Sequence, residues 1–267
     1  MKGRGEIYAV ILALSWLFIV AIPLSASIME GAIGVQQTDT FPIRIDRPGN
    51  YVLLSNLIVS TPETPCIQIN ADDVILDLQG HSLTGPDGGQ SQASAGIQSS
   101  SGNSNIAVRN GTIEGFYYGV HLTGANHEVE KITISSCDVG IKAEFSIITN
   151  CTVHGNGSQG IEARECSIIN CTANQNGSYG LKAESCTVIN CSADQNGSHG
   201  LYSLGKCRLE GCAMIKNGQY GLYLSQDHNY AKKNILSDNT SGGVYMDGLH
   251  YLSTSDDKTS NKNNENN

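Results

Sequence analysis

Three windows of twenty residues decide the fold: IITNCTVHGNGSQGIEAREC (147–166), SIINCTANQNGSYGLKAESC (167–186) and TVINCSADQNGSHGLYSLGK (187–206). Asn-Cys-Thr or Asn-Cys-Ser stands at Asn150, Asn170 and Asn190. Asn-Gly-Ser-x-Gly and an aliphatic residue begin six residues later and close on Gly160-Ile161, Gly180-Leu181 and Gly200-Leu201. Both halves step by 20 residues. A further copy, with one residue inserted, reads Cys212, Asn217-Gly218 and Gly221-Leu222. A fixed period of this length signals a stacked repeat, in which each unit buries its apolar face only against its neighbours.

Working outward, the Gly-aliphatic pair recurs at Gly96-Ile97, Gly119-Val120, Gly140-Ile141 and, beyond the quoted windows, Gly243-Val244. Cys66-Ile67 marks an earlier unit, which makes nine coils. The units are rich in Val, Ile and Thr and punctuated by Gly and Asn, a strand-and-turn composition. From Val188 to Ala193 the spacing of apolar positions is odd, so simple alternation fails. A bend at Asn190-Cys191 absorbs the extra residue, and a second turn covers Asp194 to Ser198. Three short strands per coil, each stacked on the same strand of the next coil, make a parallel β-helix. Leucine-rich repeats of similar period need several leucines per unit, and these units have too few.

The bend position reads Gly80, Asn110, Lys131, Asn150, Asn170, Asn190, Gly211, Lys233. Asn tolerates a left-handed backbone and bonds neighbouring main chain. Its stacked side chains are expected to form a hydrogen-bonded ladder. Asn156, Asn176, Asn196, Asn217 and Asn239 make a second column. The two columns generate most of the eight Asn-x-Ser/Thr sequons. Turn chemistry is the preferred reading of these, with N-glycosylation as the alternative.

Asp77-Leu78-Gln79-Gly80-His81-Ser82-Leu83-Thr84-Gly85 and Val108-Arg109-Asn110-Gly111-Thr112-Ile113, together with the Gly-Ile units, carry a resemblance. The chain resembles the right-handed parallel β-helix proteins of the pectate-lyase-like superfamily, and most of all those with NosD-type repeats. The resemblance covers roughly residues 50 to 250 and implies an all-β, single-stranded right-handed parallel β-helix solenoid of about nine coils. The right-handed rule for parallel crossovers agrees. The family's enzymes have recognisable sites, and this sequence departs from each. Pectate lyases hold calcium with aspartates beside a catalytic Arg or Lys, whereas Arg164 here sits among glutamates. Asp72-Asp73 and Gly80-His81-Ser82 do not match the Asp pairs and Gly-His-Gly of polygalacturonase-like enzymes. The Asp-Pro-His-Asp of mannuronan-epimerase-like enzymes is missing. Fold alone does not license an enzyme.

Lys2 and Arg4 precede an apolar run from Ile7 to Ile22, followed by Pro23 and Ser25-Ala26-Ser27. This reads as an export signal over residues 1–27, cleaved after Ser27 or after Gly34. Uncleaved, the run is long enough for a membrane anchor, at ~17–25 residues per span. An extracytoplasmic location follows: periplasm, cell surface or secreted. The β-helix domain is expected over 41–252, with Phe41 to Val59 as its cap and Tyr51 to Leu54 as a strand. Thr84 to Ala95 reads as a long loop whose charged residue is Asp87. Residues 253–267 read as a disordered polar tail. The chain carries 16 Lys and Arg against 25 Asp and Glu, a net charge of −9, which argues against a nucleic-acid partner.

Nine cysteines fall into columns: Cys151, Cys171, Cys191 and Cys212, and separately Cys166, Cys186 and Cys207. Small apolar filler in a narrow core is the first reading. Inter-coil disulfides and a thiolate site for a soft metal are the alternatives. No metal site and no cofactor are assigned.

Alternation along the Gly-aliphatic strand turns Ile161 and Ala163 inward and Glu162 and Arg164 outward. One outward column reads Gln98, His121, Lys142, Glu162, Lys182, Tyr202, Tyr223, Tyr245. The next reads Ser100, Thr123, Glu144, Arg164, Glu184, Leu204, Ser225, Asp247. The middle coils hold a checkerboard of opposite charges, read as a surface network, with His121, Lys142, Glu162 and Arg164 as the weak catalytic candidates. Tyr202, Tyr223 and Tyr245 form an outward aromatic stripe. Tyr179, His199 and Tyr220, each just before a Gly, line its edge. Tyr rings suit sugars through an apolar face and a polar tip. The favoured function is therefore a non-catalytic exported protein binding a polysaccharide or cell-surface glycan through Tyr179, His199, Tyr202, Tyr220, Tyr223 and Tyr245. A divergent polysaccharide lyase, epimerase or hydrolase and a purely structural envelope protein are the rivals.

Overall fold

The structure is a computed structural model that describes residues 31–61, 63–86 and 91–253. The export segment 1–27, Asp87 and the tail 254–267 lie outside the described residues. Within them the chain winds as a right-handed parallel β-helix. Ten strands make the sheet that carries the Gly-aliphatic pairs, running from Ile43–Ile45 to Gly242–Met246. A second, fifteen-stranded sheet collects the other two sides of the coil, with Ala213–Ile215 and Ile235–Ser237 pairing separately. All the strand pairs are parallel and join neighbouring coils, as Ile161↔Leu181 and Ile168↔Val188 do.

The core is a stack of aliphatic columns. Ile67, Ile97, Val120, Ile141, Ile161, Leu181, Leu201 and Leu222 are fully buried in register. Each such side chain contributes about 1.5–3 kcal/mol of burial, largely offset by the entropy of ordering the coil. The inserted bend behaves as expected. All eight bend residues have positive φ: Gly80, Asn110, Lys131, Asn150, Asn170, Asn190, Gly211 and Lys233.

The ladder lies elsewhere than expected. Asn150, Asn170 and Asn190 are exposed, and their side chains make no hydrogen bond among the described residues. Their conformation alone explains them. The second column forms the ladder. Asn156 Nδ2 donates to Asn176 Oδ1 at 2.9 Å, Asn176 to Asn196 at 3.1 Å, Asn196 to Asn217 at 3.0 Å and Asn217 to Asn239 at 2.9 Å. Each Oδ1 also accepts the backbone N–H of the preceding coil's asparagine, so the ladder is doubly bonded. This explains the invariant glycine of the repeat. A Cβ on Gly160 would lie 2.6 Å from Asn176 Nδ2 and 2.7 Å from Gly180 O.

The cysteine columns fill the core. All nine thiols are free and buried. Cys171 Sγ–H lies 3.4 Å from Ile169 O and 3.5 Å from Ile148 O, and Cys166 Sγ accepts the Ser146 N–H. Burial pushes the Cys137 thiol up to about 12 and Cys66 in the same direction.

The stretch 41–59, expected as a cap, forms a coil of its own. Ile43–Ile45, Gly49–Leu53 and Leu57–Ile58 pair with Ile67–Ile69, Val74–Asp77 and Ser82–Thr84. The strand expected to end at Leu54 ends at Leu53. Ile33–Val35 covers the open edge of Gly49–Leu53. Cleavage after Gly34 would cut that strand. At the far end Ser253 closes the strand Tyr251–Ser253. Among the described residues no helix is long and apolar enough to cross a membrane.

Candidate binding face

The outer surface of the ten-stranded sheet carries the first expected column in register throughout, and the second over Glu144, Arg164 and Glu184 and again over Leu204 and Ser225. Gln98, His121, Lys142, Glu162, Lys182, Tyr202, Tyr223 and Tyr245 are successive neighbours across the strands. The reason is the strict alternation of buried and half-buried residues in strands such as Ile161–Arg164.

The charged half of this face is paired within itself. Glu162 lies 3.0 Å from Lys182 and 3.7 Å from Lys142, and Glu144 lies 2.9 Å from Arg164. The Lys142 ammonium sits 5.7 Å above the Tyr118 ring, and the Arg164 guanidinium lies 5.5 Å from the Phe145 ring. Lys142, Glu144, Glu162, Arg164, Lys182, Glu184 and Leu204 line a shallow groove of about 370 Å³. Lys142, Glu162 and Arg164 are therefore each held by a partner of opposite charge. His121 differs. Its Nδ1 is buried without a hydrogen-bond partner. Burial, and then the Lys142 charge, hold its pKa below the usual histidine value.

The aromatic half is one continuous cluster, and all six residues expected there join it. Along the stripe Tyr202 and Tyr223 have ring centroids 5.1 Å apart, and Tyr223 and Tyr245 4.4 Å. At the edge Tyr179 stacks on His199 at 5.5 Å, and His199 reaches Tyr220 at 5.8 Å. The two rows interlock through Tyr179–Tyr202, His199–Tyr223 and Tyr220–Tyr245.

This geometry corrects two expectations. Rings one coil apart lie face to face or tilted on each other, so much of each face is spent on its neighbour. Tyr179, Tyr202, Tyr220 and Tyr223 are accordingly half-buried, and Tyr245, the last ring, is 37% exposed. His199, expected as a contact residue, is only 5% exposed. Its Nδ1 accepts the Tyr220 N–H at 3.2 Å, which places the proton on Nε2, and burial lowers its pKa to about 4. His199 thus supports the tyrosines rather than presenting itself. The Tyr223 hydroxyl is pushed up to about 12 by burial and by Tyr245, so it stays protonated.

Tyr118 was missed by the sequence reading. It stands just before Gly119, the position held by Tyr179, His199 and Tyr220. It pairs with Ala95 and Val139 and lies 4.5 Å from the His121 ring. The residue-before-glycine rule would have found it. Among the described residues no group of three or more His, Cys, Asp or Glu side chains is arranged to hold a metal ion.

Comparisons place this architecture. The tailspike protein of Dettilon superposes with a TM-score of 0.62 at 12% identity, covering 77% of this chain and 47% of the other. The tailspike of Acinetobacter phage vB_ApiP_P1 gives 0.56 at 10% identity, with 84% and 53% covered. A mutant of the periplasmic alginate epimerase AlgG gives 0.55 at 15% identity, with 83% and 76% covered. The chain thus spans about half the length of the two tailspikes, and at these identities the likeness is one of fold. No curated protein matches the chain. A family model described as the right handed beta helix region matches residues 43–185 and 182–266. The chain belongs to the right-handed β-helix family.

Proposed function

We propose that the protein is an exported, non-catalytic β-helix that binds a glycan through the aromatic cluster on its ten-stranded sheet. The observation that carries this reading is the continuous row of partly exposed tyrosines Tyr179, Tyr202, Tyr220, Tyr223 and Tyr245, with the buried His199 packed among them. Tyrosine combines an apolar ring with a hydroxyl that donates and accepts, the combination a sugar chain needs. Alginate, the substrate named for one similar structure, is a polysaccharide, which supports a glycan as the ligand class. Export rests on the Lys2-to-Ile22 sequence pattern. A catalytic reading has one observation in its favour, the unpartnered His121 Nδ1 next to Lys142. The ion pairing of Lys142, Glu162 and Arg164 weighs against it, because their charges are already engaged with one another and with Glu144 and Lys182.

The test is incubation with a panel of polysaccharides, reading bound protein and newly formed reducing or unsaturated ends together. Binding without product, lost in Tyr202→Ala/Tyr223→Ala with the far-UV spectrum unchanged, is the expected result. Product formation that His121→Ala or Glu162→Gln removes would replace this reading with the catalytic one.

A further inference from the structure

Resting on that reading, we infer that the aromatic strip selects an uncharged, polyhydroxylated glycan chain and discriminates against polyanionic ones. The cations of the face between His121 and Asp247 set the argument. They are Lys142, Arg164 and Lys182, and each already faces a carboxylate within 4 Å: Glu162, Glu144 and Glu162 respectively. A polyuronate or sulfated chain would have to break those pairs before meeting a positive charge, and the freed glutamates would then repel it. Near the rings the exposed carboxylates of Glu184, Asp227 and Asp247 outnumber the further exposed cation, Lys206, whose backbone N–H donates to Asp227 O. Glu184 is exposed on one side, two coils' breadth from Tyr223. Asp247 and Asp227 are exposed on the other side and are satisfied by neutral donors, the N–H groups of Gln226 and Leu249. A negative rim around an aromatic strip lowers the local concentration of polyanions.

The strip itself offers uncharged chemistry. Its rings repeat at 4.4 Å and 5.1 Å along the helix axis and are partly exposed. A repeating row of neutral donors and acceptors fits a chain of sugar hydroxyls lying along the axis, across the strands. Carboxylate recognition is best served by the free fork of an arginine, and Arg164 already gives one of its terminal nitrogens to Glu144 at 2.9 Å.

The experiment measures affinity for matched chains that differ in charge: galactan against polygalacturonate, mannan against alginate, and chitosan as a cationic control. It is repeated at low and high salt. The expected result is binding of at least one neutral chain, about tenfold or more weaker binding of its acidic counterpart at low salt, and neutral binding that changes less than about twofold with salt. Glu184→Gln/Asp247→Asn should narrow the gap by strengthening the acidic chain without changing the neutral one. Stronger binding of polygalacturonate or alginate, or of chitosan, overturns the charge class while leaving the strip as the binding site, provided Tyr202→Ala/Tyr223→Ala abolishes it. Binding that survives this double substitution, or no binding at all, defeats the parent reading and this one with it.

Discussion

Replacing Asn176 by Ala should be among the most damaging small changes in the middle coils. The Asn176 Oδ1 accepts two hydrogen bonds, from Asn156 N at 3.2 Å and from Asn156 Nδ2 at 2.9 Å. Its Nδ2 donates to Asn196 Oδ1 at 3.1 Å and to Val153 O at 3.4 Å. The side chain is 1% exposed, so water does not take over these partners in the intact coil. Alanine leaves two buried donors on Asn156 without acceptors, at about 1–3 kcal/mol each, or about 2–6 kcal/mol in all. Asn170 is the control, because it is the same residue type in the other repeating column. It is exposed, at φ 54°, with no side-chain hydrogen bond. Asn170→Ala retains only the left-handed penalty, about 1–2 kcal/mol at most, and Asn170→Gly should be close to neutral. Denaturant midpoints of the three variants, with hydrogen exchange at the Asn156 amide, give the comparison. Equal losses at Asn176 and Asn170 would refute the assignment of the ladder to the second column.

Three further outcomes are expected. His199 has a depressed folded pKa of about 4 against about 6.5 unfolded, so its contribution is complete above the unfolded value and drains away as pH falls toward 4; at ~1.4 kcal/mol per unit this reaches about 3 kcal/mol. Melting temperature should therefore fall more steeply between pH 7 and 4 in the parent than in His199→Phe, and parallel slopes would contradict it. Val188→Asp places a carboxylate between Ile168 and Leu209 in the core, a loss of several kcal/mol, and should melt adjacent coils; a native β-signal and unchanged melting would sink the register. A thiol reagent should find almost none of the nine cysteines in the native protein and all of them in denaturant, since each is buried; rapid native labelling of several would exclude a filler role.

Register was legible from the period alone. Once Ile161, Leu181 and Leu201 align, alternation fixes Glu162, Lys182 and Tyr202 on the outside, and the pairing follows. The left-handed bends were legible because only Gly, Asn and a few others sit there at low cost. The two asparagine columns were not distinguishable, because an identical residue at an identical period serves backbone conformation in one and side-chain bonding in the other. The difference lies in which way Cβ points. For the same reason, spacing put the tyrosines together without revealing that they spend their faces on each other, or that His199 is buried among them. The coil at 41–59 was obscured by Pro42, Pro48 and Gly49, which stand at its corners and around its strands Ile43–Ile45 and Gly49–Leu53.

The corner after Leu201–Leu204 holds a lesson about how such a chain can change. Windows 147–166 and 167–186 are the same length, and each passes from the ten-stranded sheet to the next through one left-handed residue, Phe145 before the first, then Glu165 and Ser185. The following coil is one residue longer, and there two consecutive residues, Gly205 and Lys206, are left-handed. Pairing resumes undisturbed on both sides, with Ala183↔Ser203 before it and Thr187↔Arg208 after it. The corner has swallowed a single-residue insertion that would have turned a strand inside out. Mutation thus has safe places in this molecule. Residues can enter or leave at corners, singly as here or several at once as in the thirty-residue step between the paired Ile67 and Ile97, and whole twenty-residue windows can be copied or lost between strands, each copy adding one rung of about 4.8 Å. An insertion inside a strand meets a core that does not forgive it.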